Sequence, residues 1–559
     1  MNAERLLAHY DEIADAPDAI NRLRRFILDL AVRGKLVAQN AGDEPASELL
    51  KRIAEKARLD RKERTKREPK NLNSDAEPIP VPKGWALAPL ADLVTILNGR
   101  AYKQDELLSA GTPVLRVGNL FTSDKWYYST LQLGEDKYCE NGDLIFAWSA
   151  SFGPFIWDGE KVIYHYHIWK LPLHSESELD KLYLYNFLLQ KTREIKEAGH
   201  GISMIHMTKE KMEKLLVPLP PLAEQRRIVA KVDELMGLCD RLEAARAGRE
   251  AVRDRLAASS LARLNAPDPE TFQADAHFAL AALPTFTTRS DQIKQLRQTI
   301  LNLAVRGKLV PQDPDDEPAS ELLNKLLTRK SKGQRGRDWT AGMSDACGQM
   351  FKAPVGWAWT RIADTCERVT VGYVGPMKDQ YVDIGIPFLR SQNVRANRFR
   401  EEGLIYISPH FHKKIIKSAL VPGDVVVVRS GNVGTACVIP ETIPEANCSD
   451  LVVVQRPQCV LPTFLCFYLN SLAALHVEAG SVGVALTHFN TKSVATMPLP
   501  LPPLAEQHRI VAKVDSLVAL CDRLEANLTA TAATRRRLLD ALLAEALAPT
   551  DDRKLEAAE

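Results

Sequence analysis

Apolar residues recur at alternating steps of four and three in two stretches of the chain: Ile228, Val232, Leu235, Cys239 and Leu242, and again Ile510, Val514, Leu517, Cys521, Leu524 and Leu528. That spacing is a heptad seam and predicts two long helices. In the earlier stretch the seam turns Arg-rich through RAGREAVRDRLAASSLARL, and the helix is expected to run to about Leu264. A helix of about 40 residues spans on the order of 60 Å. It cannot bury such a stripe alone, and the simplest partner is its own duplicate, packed antiparallel about an approximate two-fold axis. Cys239 and Cys521 then serve as small buried hydrophobes on the seam.

Between the helical stretches the pattern shortens. VLRV after Thr112-Pro113, DLIFAW after Asn141-Gly142, DVVVV after Pro422-Gly423 and LVVV after Asp450 are short apolar runs opened by turn residues, which predicts strands. A helix-like stretch follows in both places, LDKLYLYNFLLQKTREI from Leu179 and PTFLCFYLNSLAAL from Pro462. Each insert is therefore expected to be a compact α+β domain of roughly 140 residues.

The pattern is duplicated. PLPPLAEQRRIVAKVDELMGLCDRLEA from Pro218 matches PLPPLAEQHRIVAKVDSLVALCDRLEA from Pro500, differing only at Arg226/His508, Glu234/Ser516, Met236/Val518 and Gly237/Ala519. Upstream, LRRFILDLAVRGKLVAQNAGDEPASELL from Leu23 matches LRQTILNLAVRGKLVPQDPDDEPASELL from Leu296. The inserts between these repeats share only landmarks: Gly84-Trp85 with Gly356-Trp357, 113–119 with 387–393, Asn141-Gly142-Asp143 with Pro422-Gly423-Asp424, and His206 with His488. A scaffold copied nearly unchanged around two divergent inserts implies one fold used twice on different targets.

Composition narrows the class. With 559 residues the chain is too long for a single core, and 45% hydrophobic with 26% charged residues is an ordinary soluble balance. The N-terminal stretch carries charges throughout and shows no secretory pattern. No run approaches the roughly 20 apolar residues of a membrane span. Nine cysteines without a Cys-x-x-Cys pair fit reduced thiols, so a cytoplasmic location is expected. The net charge of +2 means that any nucleic-acid affinity must come from local patches. Two such stretches, Lys51 to Lys70 and RKSKGQRGR from Arg329, are either charged linkers or phosphate-contacting arms.

Motifs for catalysis are missing. Arg33-Gly34-Lys35 and Arg306-Gly307-Lys308 lack the first glycine and the hydroxyl of a nucleotide-binding loop. There is no dinucleotide fingerprint, zinc-protease helix or serine elbow. His165-x-His167 has the spacing to hold a metal from one strand face, but without a further ligand at a persuasive distance. A self-contained methyltransferase or nuclease is therefore disfavoured, which leaves a sequence-reading subunit or a coiled-coil scaffold.

The repeats PLPPLAEQ…RIVAKVD…CDRLEA and IL…LAVRGKLV…DEPASELL, together with the Gly-Trp opening of each insert, resemble the specificity subunits of type I restriction-modification systems. The resemblance covers nearly the whole chain. It implies two target-recognition domains that each read half of a bipartite, asymmetric double-stranded DNA target, and antiparallel spacer helices that dock two modification subunits. No cofactor is implied in this chain. S-adenosylmethionine, ATP and magnesium are expected in the partners: the modification subunits for adenine methylation, and helicase-nuclease restriction subunits for translocation and cleavage. A methylation-only system is the alternative.

On that basis 1–78 is a helical segment with charged linker, 79–217 the first recognition domain and 218–264 the central spacer. A linker with the second LAVRGKL repeat follows at 265–349, then the second recognition domain at 350–499 and the last spacer at 500–559. The LAVRGKL block ahead of the first domain departs from the simplest family pattern.

Bases are told apart mainly by bidentate Arg, Asn and Gln contacts, while Lys mostly holds phosphate. The candidates for DNA contact are Arg116, Asn119, Lys125, Trp126, Ser149, His200 and His206 in the first domain. In the second they are Arg390, Gln392, Asn393, Arg395, Arg398, Arg429, Asn432 and His488. For His206 and His488, a shared phosphate contact and a shared structural hydrogen bond explain the matching positions equally.

Overall fold

The computed structural model describes residues 13, 15–64, 81–149, 152–198, 207–266, 268, 270–333, 351–478 and 490–547. Its contacts divide the chain into two units, Met1–Gly248 with Ala532–Glu559, and Arg249–Thr531. The fold is the α+β duplication expected from the sequence.

In the first unit, α1 (Ala19–Val32) and α2 (Ala46–Arg64) precede β1 (Ala86–Pro89). The domain then runs through β2 (Leu97–Asn98), β3 (Thr112–Leu115), β4 (Tyr127–Ser129), β5 (Tyr138–Cys139), β6 (Leu144–Ala147), β7 (Gly153–Ile156), β8 (Val162–Tyr164) and β9 (Ile168–Lys170). Helix α3 (Lys181–Ala198) and β10 (Leu216–Leu219) follow, and then α4 (Leu222–Asn265), a helix of 44 residues whose residues 249–265 belong to the second unit. One sheet has the order β2-β9-β6-β7 and the other β4-β3-β8-β5, in which β3 and β8 are parallel.

The second unit repeats the plan after an extra helix, α5 (Phe272–Phe286), followed by α6 (Ser290–Val305) and α7 (Ala319–Gly333). Its strands are β11 (Ala358–Arg361), β12 (Cys366–Val371), β13 (Tyr381–Val382), β14 (Ile386–Leu389), a small hairpin of β15 (Val394–Arg395) and β16 (Arg398–Phe399), and β17 (Ile405–Ile407). They continue with β18 (Val425–Val428), β19 (Ala436–Val438), β20 (Asn447–Cys448) and β21 (Leu451–Pro457). Helix α8 (Pro462–Glu478), β22 (Pro498–Leu501) and α9 (Leu504–Leu547), again 44 residues, complete it, although residues 532–547 of α9 belong to the first unit. The sheet β12-β21-β18-β19 has the order of its counterpart, and β14 pairs with β20 in parallel as β3 does with β8.

Each domain is closed by its own ends. The first and last strands pair, Ala86 opposite Leu219 and Ala358 opposite Leu501, so entry and exit lie side by side. The prolines of PLPPL are tolerated because these pairs are two-stranded ribbons with free edges. The indole of Trp85 donates to Glu224 Oε2 at 3.0 Å, and that of Trp357 to Glu506 Oε2 at 2.9 Å. Both glutamates are buried in the first turn of the long helix, and burial raises both carboxyls above their ordinary pKa despite the indole hydrogen bond.

The heptad seams are covered within each unit. Ile228, Val229, Val232 and Cys239 pack with Ile27, Leu28 and Ala31 of α1 and with Trp85 and Tyr183. Ile510, Val514 and Cys521 likewise join Ile300, Leu301, Ala304 and Val305 of α6. Arg24 pairs with Asp240 and Glu243, as Arg297 does with Asp522 and Glu525. The LAVRGKL block ahead of the first domain thus has a packing role: it covers the opening of the seam. Further along, Ala257, Leu261 and Leu264 meet Ala279 and Phe286 of α5, while Leu539 and Leu542 meet Ile13, Ala16 and Ala19.

Arg33-Gly34-Lys35 and Arg306-Gly307-Lys308 are helix stops. Gly34 and Gly307 both have φ +66°, and Lys35 N and Lys308 N donate back to Leu30 O and Leu303 O at 2.9 Å. A Cβ on either glycine would stand 2.5 Å from Pro82 Cγ or Pro354 Cγ. The charged stretch from Lys51 begins as part of α2, which buries Ala46, Leu49, Ile53 and Ala57; residues 65–80 lie outside the described residues.

Candidate nucleic-acid interface

In the first domain the C-terminal ends of β3, β6 and β8 meet at one edge. His165 N donates to Leu115 O at 2.9 Å and Trp148 N to His167 O at 3.0 Å, which places Arg116, Trp148 and the connection 165–167 side by side. The equivalent edge of the second domain is formed by β14, β18 and β20. Ser449 N donates to Leu389 O at 3.0 Å, so Arg390 lies beside Ser449, with Arg429 following β18.

Both edges are shaped by the same clasp. Asn119 Oδ1 accepts from Arg116 N at 3.2 Å, and its Nδ2 donates to Ser123 O and Lys125 O at 3.3 and 3.0 Å. Asn393 Oδ1 accepts from Arg390 N at 3.0 Å, and its Nδ2 donates to Arg400 O and Glu402 O at 3.1 and 3.4 Å. Expected among the base-contacting residues, the two asparagines have their amides committed to backbone. They fold the loop that presents the arginine.

The other candidates fall around these clasps. Arg116 is exposed, its guanidinium 5.0 Å from the centre of the Tyr127 ring, with Lys125 Nζ 5.2 Å from the same ring. The Lys125 ammonium, and then Arg116, hold the Tyr127 hydroxyl below its ordinary pKa. Trp126 is half-buried against Trp157, and Ser149 is half-buried next to Trp148. Arg390 and Gln392 both donate to Gly403 O, at 3.2 and 3.0 Å, and Arg390 Nε is buried with no acceptor among the described residues. Arg395 donates to the neighbouring Val394 O, Arg398 and Asn432 are exposed, and Arg429 pairs with Asp450 at 2.8 Å. His200, His206 and His488 lie outside the described residues.

Sequence reasoning missed Trp148, Tyr166 and Asp450. Trp148 stacks on Trp169 at 5.6 Å, meets the edge of His167 at 5.1 Å and donates through Nε1 to Tyr166 O at 2.8 Å. Burial, with His167 and then Arg116 nearby, pushes His165 down to about 4, so this imidazole is neutral at pH 7. Among the described residues no group of three or more His, Cys, Asp or Glu side chains is arranged to hold a metal. No helix among them is long and apolar enough to cross a membrane. The eight described cysteines are buried.

Residues 82–247 and 354–532, together more than half of the chain, match the model of the type I restriction modification DNA specificity domain, and the chain belongs to that family. The duplicated DNA-recognition fold therefore has its class. Among its relatives are two Escherichia coli proteins, the type I restriction enzyme EcoEI specificity subunit (28% identical, covering 94% of each chain) and the EcoAI specificity subunit (27% identical, covering 94% of this chain and 93% of that one). A chain solved in work on complex assembly and conformational transition of the type I R-M system overlays with a TM-score of 0.49 at 19% identity, covering 84% of this chain and 99% of that one.

Proposed function

We propose that this chain is the non-catalytic reader of a type I restriction-modification complex: each domain binds one half of a bipartite, asymmetric DNA target, and partner subunits act on it. The observation that carries this reading is the edge just described. Two copies of one scaffold bring their strand ends and an Arg-x-x-Asn clasp to the same place, and the side chains around them differ. Phosphate contacts then position each domain, and the variable side chains specify the bases.

The seam, the indole–glutamate joints and the ion pairs are shared by both halves and supply the frame on which two modification subunits dock. Adenine methylation with S-adenosylmethionine belongs to those subunits, and ATP- and magnesium-dependent translocation and cleavage to restriction subunits, all in the cytoplasm. In a methylation-only system the same reader works without the last.

Footprinting of the full chain with its modification subunits tests this. Two protected half-sites separated by unread base pairs are expected, with affinity falling as salt rises through counterion release. Exchanging residues 350–499 for another recognition domain should change one half-site only. A scaffold that does not touch DNA would leave no footprint.

A further inference from the structure

The duplication allows the two reading edges to be superposed position by position. In the first domain Phe146 lies opposite Trp169 and Ala147 opposite Ile168. The same register in the second domain sets Val427 opposite Val452 and Val428 opposite Leu451. The residue that follows is Trp148 in one and Arg429 in the other. The parallel pairs end alike, Leu115 beside Tyr164 and Leu389 beside Cys448, and the connections that follow are His165-Tyr166-His167 and the one-residue-shorter Ser449-Asp450. Trp148 reaches across to Tyr166 and His167, and Arg429 reaches across to Asp450.

We propose that these are the paired base-discriminating positions of the two domains: Arg429, braced by Asp450, selects a guanine in one half-site, and the Trp148–Tyr166 face selects a thymine in the other. The proposal rests on the DNA-reading function above and names the chemistry of that site.

Three observations carry it. First, Arg429 Nη1 is its only donor committed among the described residues, held by Asp450 Oδ1, and the side chains are 33% and 42% exposed. The remaining edge of the guanidinium keeps the fork that matches guanine O6 and N7. An arginine meant for phosphate gains nothing from a carboxylate at its side, which would repel the phosphate.

Second, Asp450 sits at φ +29°, a backbone conformation that an L side chain adopts at a cost. A partly exposed ion pair returns little stability, so the strain points to a role in placing Arg429. Ser430 also donates to Asp450, at 3.3 Å.

Third, the first domain places neither a guanidinium nor a carboxylate at these two positions: Trp148 stands where Arg429 does, and His167 where Asp450 does. Tyr166 is 39% exposed, and Trp148 is stacked on Trp169, which itself stacks on Phe146 at 6.1 Å. An uncharged aromatic face fits the C5-methyl of thymine, the apolar group on the major-groove edge.

The test is methylation by the full chain with its modification subunits on a DNA library randomised over both half-sites, read by sequencing the methylated products. Arg429→Ala should lower the preference for guanine at one position of one half-site by about 5- to 150-fold, leaving the other half-site unchanged. Arg429→Lys keeps the charge and loses the fork, so it should lose the same preference while retaining affinity. Tyr166→Ala should lower a thymine preference in the other half-site by about four-fold, the worth of one methyl contact.

Uniform loss of methylation on all sequences, with base preference kept in both arginine variants, would overturn the proposal. So would a selective wild type whose preferences survive all three substitutions. A wild-type complex with no sequence preference would instead overturn the DNA-reading function itself.

Discussion

Two regions of each recognition domain carry different amounts of shared information. At the joint with the long helix, Trp85 with Glu224 and Trp357 with Glu506 repeat residue for residue, as do Arg227 with Asp43 and Arg509 with Asp316, both at 2.6 Å. At the strand ends Trp148 and Arg429 share nothing but their place. Joint residues are buried or paired, so a change in one leaves a partner unsatisfied. Residues at the edge follow strand ends, and their contacts are with one another, Trp148 with Tyr166 and His167, and Arg429 with Asp450, so each set can change together. Duplication followed by divergence of the inserts around an unchanged joint is what that difference in packing permits.

The strongest way to break the comparison is at the joint. Trp85→Ala and Trp357→Ala each remove a buried indole and its hydrogen bond to Oε2 of a buried glutamate, and each should cost about 3–5 kcal/mol in denaturant unfolding of the full chain. If the joints are equivalent, the two losses agree within about 1 kcal/mol. A large loss from one substitution with tolerance of the other would show that one copy no longer carries load.

The clasps should separate the halves. Asn393 is fully buried, whereas Asn119 is half-buried. Asn393→Ala leaves backbone groups dry and is expected to cost about 1–3 kcal/mol, against about 0.5–1.5 kcal/mol for Asn119→Ala, where water reaches the freed groups. Hydrogen exchange over 116–127 and 390–403 locates each loss. Equal costs would mean that the loops are buried alike in solution.

The smallest effect concerns pH. Burial raises the pKa of Glu224 and Glu506 in the folded chain, so the folded state holds these protons more tightly than the unfolded one. Their contribution is most favourable below the ordinary carboxyl pKa near 4.5 and declines as pH rises through the raised values. Glu224→Gln and Glu506→Gln keep an acceptor for the indole and should remove that decline. Stability measured from pH 4 to pH 8 should therefore fall less steeply in the double variant than in the parent, and parallel curves would contradict the assignment.

Much of the frame was legible in the sequence because it depends on local rules. Steps of four and three gave the seams, and apolar runs after Asn141-Gly142 and Pro422-Gly423 gave β6 and β18. In both, the turn glycine has a positive φ and the next aspartate caps the turn, Asp143 accepting from Glu140 N and Asp424 from Val421 N. The site was only partly legible. Asn119 and Asn393 have the side chain of a base reader, and only the folded loops show their amides spent on backbone.

The sequence by itself determined that this protein is built twice, with long helices and α+β inserts, since repeats and periodicity are properties of the chain. Tertiary structure decided which divergent residues share a position. Trp148 and Tyr166 are 18 residues apart, Arg429 and Asp450 21, and they correspond only because antiparallel strands of equal register, β6 with β9 and β18 with β21, bring them to the same edge. Register is set by hydrogen bonds between distant segments, and no local pattern records it.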